Sequence, residues 1–478
     1  MATSQTEAVR PPKEKIDPGI LKIALILVIG AIVPLLDSTM INVAINTLAL
    51  DLHSTVSATQ WVITGYVLTM GLAIPVSGWA TQRFGGKNVY LFSLWVFLVS
   101  SLLCSLAWNT GSLIGFRLLQ GAGAGLLVPT IQNVLVQSAG GRGLGRLIAI
   151  ISIPTLIGPI LGPVIGGLIM DNMSWRWIFY VNIPIMLVAL WLSWRHIPKS
   201  EAAAGKPRLD VIGLLLLSPA FATLIYGISK ISSEGGLSSA GTFVPLAGGL
   251  VLTAAYIAYA LRSRQAPLLD LHLFRSRHFL ASNVILFFSG MVMNGALLLL
   301  PLYYEQVRGE SVLTTGLLLI PQGVGMLLTR SWIGGLADRV GSRSIVLASL
   351  AVTLAATVPF AFAGTDTSHI LLGAAQLVRG AAMNGIFIPI MVSAYEGLRK
   401  EQIPHASIST RIFQTIGGAF GSGVLATVIG QQLTNGTGAS LASLAHAYQV
   451  AFWWSVGFAA ASLLPAIFLS NRKKPQEA

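Results

Sequence analysis

The sequence predicts an all-α polytopic membrane protein: two pseudo-symmetric six-helix bundles with two further helices inserted between them, fourteen spans in total. Three observations predict it. Of 478 residues, 54% are hydrophobic and only 10% charged, whereas about a quarter of a soluble domain is charged. The apolar residues fall in runs of about 20, the length that crosses a hydrocarbon layer of about 30 Å. Several short motifs also recur about 256 to 259 residues further along the chain.

Apolar runs between charged or Gly/Pro-rich breaks give spans at 20–47, 57–80, 88–107, 112–138, 147–169, 177–194 and 210–228. The second seven are 243–261, 279–304, 313–336, 345–363, 368–395, 408–429 and 448–470. The first run follows Arg10, Lys13, Lys15 and Lys22 as a signal sequence would. It is too long for a signal h-region and is followed by many more spans, so it reads as a retained first helix. An even number of spans puts both termini on one side. With that side cytoplasmic, 24 Lys/Arg lie on the inner side, Lys22 and Arg330 among them at the inner ends of their spans, and three (Arg176, Lys230, Arg308) lie outside, while Arg117, Arg379 and Arg411 lie within spans. Such a bias is what insertion into the cell inner (cytoplasmic) membrane selects. It also accounts for the formal charge of +13 without nucleic acid, leaving the lipid bilayer as the expected partner. The single cysteine, Cys104, allows no intramolecular disulfide and reads as a small packed hydrophobe.

GWATQRFGGK (78–87) is matched by GGLADRVGSR (334–343), with Gly85 and Gly341 256 residues apart. RLLQGAGAG from Arg117 is matched by QLVRGAAMNG from Gln376, and GPILGPVIGG from Gly158 by GGAFGSG; Gly121 and Gly380, like Gly162 and Gly421, are 259 apart. The halves are therefore duplicated, and the seventh and eighth helices interrupt them. This divides the chain into a cytoplasmic tail (1–19), an N-terminal bundle (20–196), a two-helix insert (197–264), a C-terminal bundle (265–471) and a second cytoplasmic tail (472–478). The insert has no acid deep in the membrane and is expected to be peripheral. Inverted or duplicated halves around a cavity are the architecture of alternating access, with the substrate near the midplane.

LDSTMINVAINTL (36–48), GWATQRFGGK, LIGFRLLQGAGAG (113–125), GPILGPVIGG (158–167), WRWIFYVNIP (175–184), TGLLLIPQG from Thr315 and HASISTRIFQTIGGAFG (405–421) together cover nearly the whole chain. They resemble the signatures of the major facilitator superfamily, and specifically of its fourteen-helix drug:proton antiporters. The resemblance implies a proton-coupled secondary antiporter that exports drug-like, amphipathic or cationic small molecules, driven by the proton gradient without a cofactor. A transporter of one defined metabolite or lipid-like molecule, without proton coupling, is the alternative; accessory efflux proteins are left open. A membrane-embedded enzyme is disfavoured, because no nucleophile–base or metal-ligand constellation occurs. No GxxxxGK[ST] phosphate loop occurs either.

The candidate residues follow. Asp37 lies about halfway along the first span, roughly 15 Å from its periplasmic end. An ionised carboxylate is costly there, which suits a residue that takes up and gives back a proton. Arg117 lies roughly 8 Å deep and is within reach of Asp37 directly or through water; the resemblance implies a role in proton coupling. Asn42, Asn294, Glu305 and Arg379 are candidates for the substrate cavity. Asn294 stands 257 residues after Asp37, so an amide in one half corresponds to the acid in the other. Arg379 is roughly 18 Å deep, and Glu305 lies at a periplasmic helix end. Gly78, Gln82, Arg83, Gly85 and Lys87, with Asp338, Arg339, Gly341 and Arg343, form the gating loop motifs. Gln82 departs from the acid that the family carries there. Gly158, Pro159, Gly162, Pro163, Gly166 and Gly167 make up the antiporter motif, whose small residues let backbones approach closely. No metal site is expected, and proton carriage falls to carboxylates.

Overall fold

The computed structural model describes residues 17–469 except 55, 60, 140–146, 148–149, 152, 199–208, 231–238, 264–266 and 436–440. Among the described residues there are long helices and short turns, and no strand. The first seven long helices are α1 Pro18–Asp51, α2 Trp61–Phe84, α3 Gly86–Ser105, α4 Thr110–Ala139, α5 Ile153–Asn172, α6 Asn182–His196 and α7 Val211–Lys230. The next seven are α8 Ala240–Arg262, α9 Arg277–Leu302, α10 Val312–Val340, α11 Ser342–Ala361, α12 His369–Tyr395, α13 Ile403–Asn435 and α14 Leu441–Ala461. Twelve segments of the described residues are long and apolar enough to cross a membrane. α5 and α10, which lie outside those twelve, are helices of 20 and 29 residues at the fifth and tenth predicted positions. The sixth predicted run is one span, Trp177–His196, in which a first turn, Trp177–Tyr180, passes into α6 through Val181 with helical angles. α9 continues into a π-helical turn at Tyr303–Val307.

Local chemistry sets the ends. The Asp17 carboxylate accepts from the Gly19 amide, and Pro18 opens α1 with its φ preset for a helix. α2 passes to α3 through Gly85 (φ 82°), and α10 to α11 through Gly341 (φ 92°). Both take the left-handed region that only glycine enters without steric cost, so the repeated loop motif makes the same tight turn twice.

The two halves pack alike. α2 lies along α4 as α10 lies along α12, α1 along α5 as α9 along α13, and α3 along α4 as α11 along α12. The contacts use small residues, because in lipid close van der Waals approach replaces a hydrophobic driving force. A Cβ on Gly121 would strike the Tyr66 carbonyl, and one on Gly380 would strike the Gln322 carbonyl, 256 residues later. The halves meet where α2 and α4 touch α13 and where α5 touches α10.

The insert is not wholly peripheral. α8 rests chiefly on α7, but α7 itself packs on both α2 and α13, along the seam between the halves. Ser218 Oγ donates to the Leu72 carbonyl (2.9 Å). Phe221 lies over Gly71, and Ile228 lies against Gly423. Asp210 ties the insert down by accepting from the Gly213 amide (2.8 Å), the Tyr259 hydroxyl (2.7 Å) and the Leu268 amide (3.2 Å). The sequence pattern shows that two helices interrupt the repeat. It does not show that one of them fills a groove which the two bundles share.

Candidate functional site

Inside the N-terminal bundle five helices bring polar side chains to one buried point. α1 supplies Asp37, α2 Tyr66, α3 Ser101, α4 Arg117 and Gln120, and α6 Asn182. Arg117 and Gln120 are three residues apart and so share a helix face. Asp37, Ser101, Arg117 and Gln120 have no exposed surface.

Arg117 Nη1 pairs with Asp37 Oδ2. The other carboxylate oxygen accepts from Asn182 Nδ2 (2.9 Å) and Gln120 Nε2 (3.4 Å). Arg117 also donates from Nε to the Val62 carbonyl (3.2 Å) and from Nη1 to Gln120 Oε1 (2.7 Å). Its guanidinium lies 4.2 Å from the centroid of the Tyr66 ring. Ser101 Oγ accepts from Asn182 (3.0 Å) and Gln120 (3.3 Å), and the buried Cys104 thiol sits 3.8 Å from Gln120 Oε1. A buried ion pair offsets its desolvation only when its remaining lone pairs and protons are also bonded. Here the carboxylate is fully provided for, and one guanidinium nitrogen, Nη2, is left without a partner.

The antiporter motif backs the same turn of α1. Gly158 lies against Leu35, Gly162 against Thr39 and Gly166 against Met40, at a spacing of four residues along α5. Thr39 Oγ1 donates to the Gly158 carbonyl (3.0 Å) and to its own helix at Leu35 (2.9 Å). Gly167 faces open space. The side chains of Pro159, Pro163, Asn42, Asp338 and Arg339 lie outside the described residues.

The remaining candidates stand apart from this cluster. Asn294 is exposed at the middle of α9, and its amide donates to the Gly290 carbonyl of its own helix (3.2 Å). Glu305 is partly buried in the π-helical turn. Arg379 is fully buried within the C-terminal bundle, where Nη2 donates to the Val292 carbonyl (3.2 Å).

At the basic ends of the helices, Gln82 of α2 meets His405 of α13 with nitrogens 3.2 Å apart. His405 Nδ1 is 2.8 Å from the Leu268 carbonyl and so carries the proton, which leaves Nε2 to accept from the Gln82 amide. The residue that departs from the family pattern thus joins the two halves. Gly78, one turn before Gln82, faces Ile408 across the same junction. Lys87 Nζ donates to the carbonyls of Trp194 (2.7 Å) and Ile197 (2.6 Å), closing the end of α6 rather than marking a solvated loop alone. Arg83 stacks between Trp79 (6.0 Å) and Phe84 (5.9 Å), and Arg343 is partly buried.

Sequence reasoning paired Asp37 with Arg117 but missed Gln120, Asn182, Ser101, Tyr66 and His405. Three of them stood inside motifs already quoted: Gln120 in RLLQG, Asn182 in YVNIP and His405 in HASIST.

A profile of the Major Facilitator Superfamily matches residues 27–422. The chain is 32% identical to a Multidrug resistance protein B homolog of Mycobacterium tuberculosis, over 97% of this chain and 93% of the relative. It is 30% identical to the Multidrug export protein EmrB of Haemophilus influenzae, over 84% of this chain and 79% of that protein. The fold is shared with the human organic anion transporter MFSD10 (TM-score 0.61, 17% identity, 95% of this chain and 100% of that one). It is shared also with the proton:xylose symporter XylE (TM-score 0.62, 14% identity, 93% and 94%).

Proposed function

Because the chain belongs to the major facilitator superfamily, a family of membrane transporters, we propose that it is a proton-coupled antiporter that exports drug-like amphipathic compounds by alternating access. The observation that carries this reading is the Asp37–Arg117 pair, buried at depth in the N-terminal bundle and bonded to two other helices, α2 and α6. The names of the relatives, multidrug resistance and multidrug export proteins, support the cargo class. The distribution of Lys and Arg supports a cytoplasmic-membrane location with both termini cytoplasmic.

A proton placed on Asp37 cancels the charge that holds Arg117. The guanidinium keeps the Val62 carbonyl and Gln120 as acceptors, so it is not stranded while the pair is apart. Any shift of the Asp37 turn presses on α5 through Gly158, Gly162 and Gly166. α5 in turn touches α10 of the other half, with Val164 against Gly316. Protonation in one bundle therefore has a mechanical route to the junction between bundles. The Gln82–His405 hydrogen bond holds that junction shut at the basic face and breaks when that face opens.

Asp37→Asn keeps the shape and the acceptor for Asn182 but carries no exchangeable charge. Reconstituted in proteoliposomes with internal and external pH set independently, it is expected to lose uphill efflux of a fluorescent amphipathic substrate while downhill flux persists. Full uphill transport by the variant would overturn the assignment and pass the role to Glu305.

A further inference from the structure

The junction of Gln82 with His405 is built from more than those two side chains. A carbonyl can only accept, so the Leu268 carbonyl, 2.8 Å from His405 Nδ1, fixes the proton on that nitrogen and leaves Nε2 to accept from Gln82 (3.2 Å). The direction of the imidazole therefore depends on where the Leu268–Leu269 peptide stands. That peptide lies in the short connector 267–270 between α8 and α9, outside any helix. With no ladder of its own, a buried connector must find its hydrogen bonds in side chains.

The inserted helices supply them. Tyr256 Oη of α8 accepts from the Leu269 amide (2.8 Å), the nitrogen of the same peptide group whose oxygen holds His405. The Leu268 amide donates to Asp210 Oδ2 (3.2 Å) at the head of α7. Asp210 Oδ1 accepts from the Tyr259 hydroxyl (2.7 Å) and the Gly213 amide (2.8 Å), which sets the orientation of the carboxylate. Asp210, Tyr256, Leu268 and Leu269 are all buried, so water does not compete for these bonds. Tyr256 and Leu269 share one apolar cluster with Ile74 of α2, Phe221 of α7 and Ile408 of α13. A hydrogen-bonded chain thus runs from Asp210 and Tyr256 through one peptide to His405 and across to Gln82. Buried hydrogen bonds in series strengthen one another.

We propose that Asp210 and Tyr256 are positioning residues for the latch at the basic face: the two inserted helices hold the Leu268–Leu269 peptide, and the peptide holds the His405 ring in line with Gln82. The insert thereby biases the transporter toward the state that is closed at that face. When the face opens, His405 leaves Gln82; when it closes, the ring returns already aimed. This rests on the alternating-access reading and gives the insert a part in it that apolar packing of α7 alone would not.

The test is double electron–electron resonance on the purified full-length protein in lipid nanodiscs, without substrate or gradient. Nitroxides at Asn88→Cys and Glu401→Cys, exposed positions of the two halves at the basic face, report its opening, and the buried Cys104 stays unlabelled. Tyr256→Phe keeps the ring in its apolar cluster and removes the acceptor of the Leu269 amide. It is expected to raise the ratio of long to short distances about threefold, as loss of one ordinary hydrogen bond does. Asp210→Asn keeps an oxygen for Tyr259 and Gly213 but sets an amide against the Leu268 amide, and should give a similar rise. Gln82→Ala should also raise the ratio. Tyr256→Phe added to it should raise it no further, because the latch through which Tyr256 acts is already gone. Ser218→Ala, which loses a bond of α7 outside this chain, should leave the ratio unchanged. A Tyr256→Phe variant with the wild-type ratio, a further rise in the Gln82→Ala background, or an equal rise in Ser218→Ala would overturn the inference. If Gln82→Ala itself changes nothing, the latch falls and this inference with it, while proton-coupled export is still judged by Asp37→Asn.

Discussion

Asp37 and Arg117 hold each other in a site with no exposed surface, so each is stable only because the other is charged. Removing one partner of such a pair costs about 3–5 kcal/mol, because the survivor is left buried and unmatched. Arg117→Met is therefore expected to lower the thermal stability of the detergent-purified protein sharply. Adding Asp37→Asn to it should restore most of the loss, since the second change removes the stranded charge. Both variants should fail in uphill transport. A single variant as stable as wild type would show that the pair is not coupled in this way. Asp37 and Arg117 were legible because a charge inside an apolar run has few explanations. Gln120, Asn182 and Ser101 were not, because uncharged polar residues are common in membrane helices and only the folded bundle shows which of them converge. Arg379 was legible as a buried cation, but only the folded bundle shows that its one hydrogen bond goes to the Val292 carbonyl and that no carboxylate among the described residues meets it.

The ridge of glycines on α5 works at the scale of the element. Gly158, Gly162 and Gly166 bring the α5 backbone against the turn of α1 that carries Asp37. Overpacking a close helix contact typically costs about 1–3 kcal/mol and displaces backbone. Gly162→Val would drive a side chain into Thr39, whose hydroxyl bridges to Gly158. The expected outcome is a protein that still inserts but melts at lower temperature and loses proton-dependent transport. Gly167→Val, where the structure leaves open space, should do neither. Equal behaviour of the two variants in thermal denaturation and efflux would contradict the packing argument. The helices themselves were readable from hydropathy within a few residues at most ends. The single interrupted position between Trp177–Tyr180 and α6 leaves the span continuous, since Val181 keeps helical angles and Pro184 merely lacks the amide hydrogen that would bond to the Tyr180 carbonyl.

At the scale of the whole molecule, two bundles that rock against each other must do so with α7 wedged along their seam. α7 is bonded to α2 through Ser218 and Leu72. Its contact with α13 is apolar and carries no hydrogen bond among those described, with Ile228 lying against Gly423 and Leu217, Phe221 and Ile225 sharing a cluster with Ile408 and Ile412. α7 is therefore expected to travel with the N-terminal half and slide over the C-terminal one. A cysteine pair replacing Leu72 and Ser218 should tolerate oxidation with transport intact, whereas a pair replacing Ile228 and Gly423 should block transport until reduced. The opposite pattern would assign α7 to the other half. This position was hidden in the sequence, because an insert between duplicated halves has no repeat partner from which to infer its neighbours.

Cys104 has a practical bearing on every such measurement. It is the sole thiol of the chain and is walled in beside Gln120. Sulfhydryl reagents applied to the resting protein therefore have nothing native to modify. Introduced cysteines can be labelled, spin-tagged or cross-linked in the natural background, and the silent thiol becomes a built-in reporter: any reaction at Cys104 during turnover marks the moment when the interior of the N-terminal bundle opens to water.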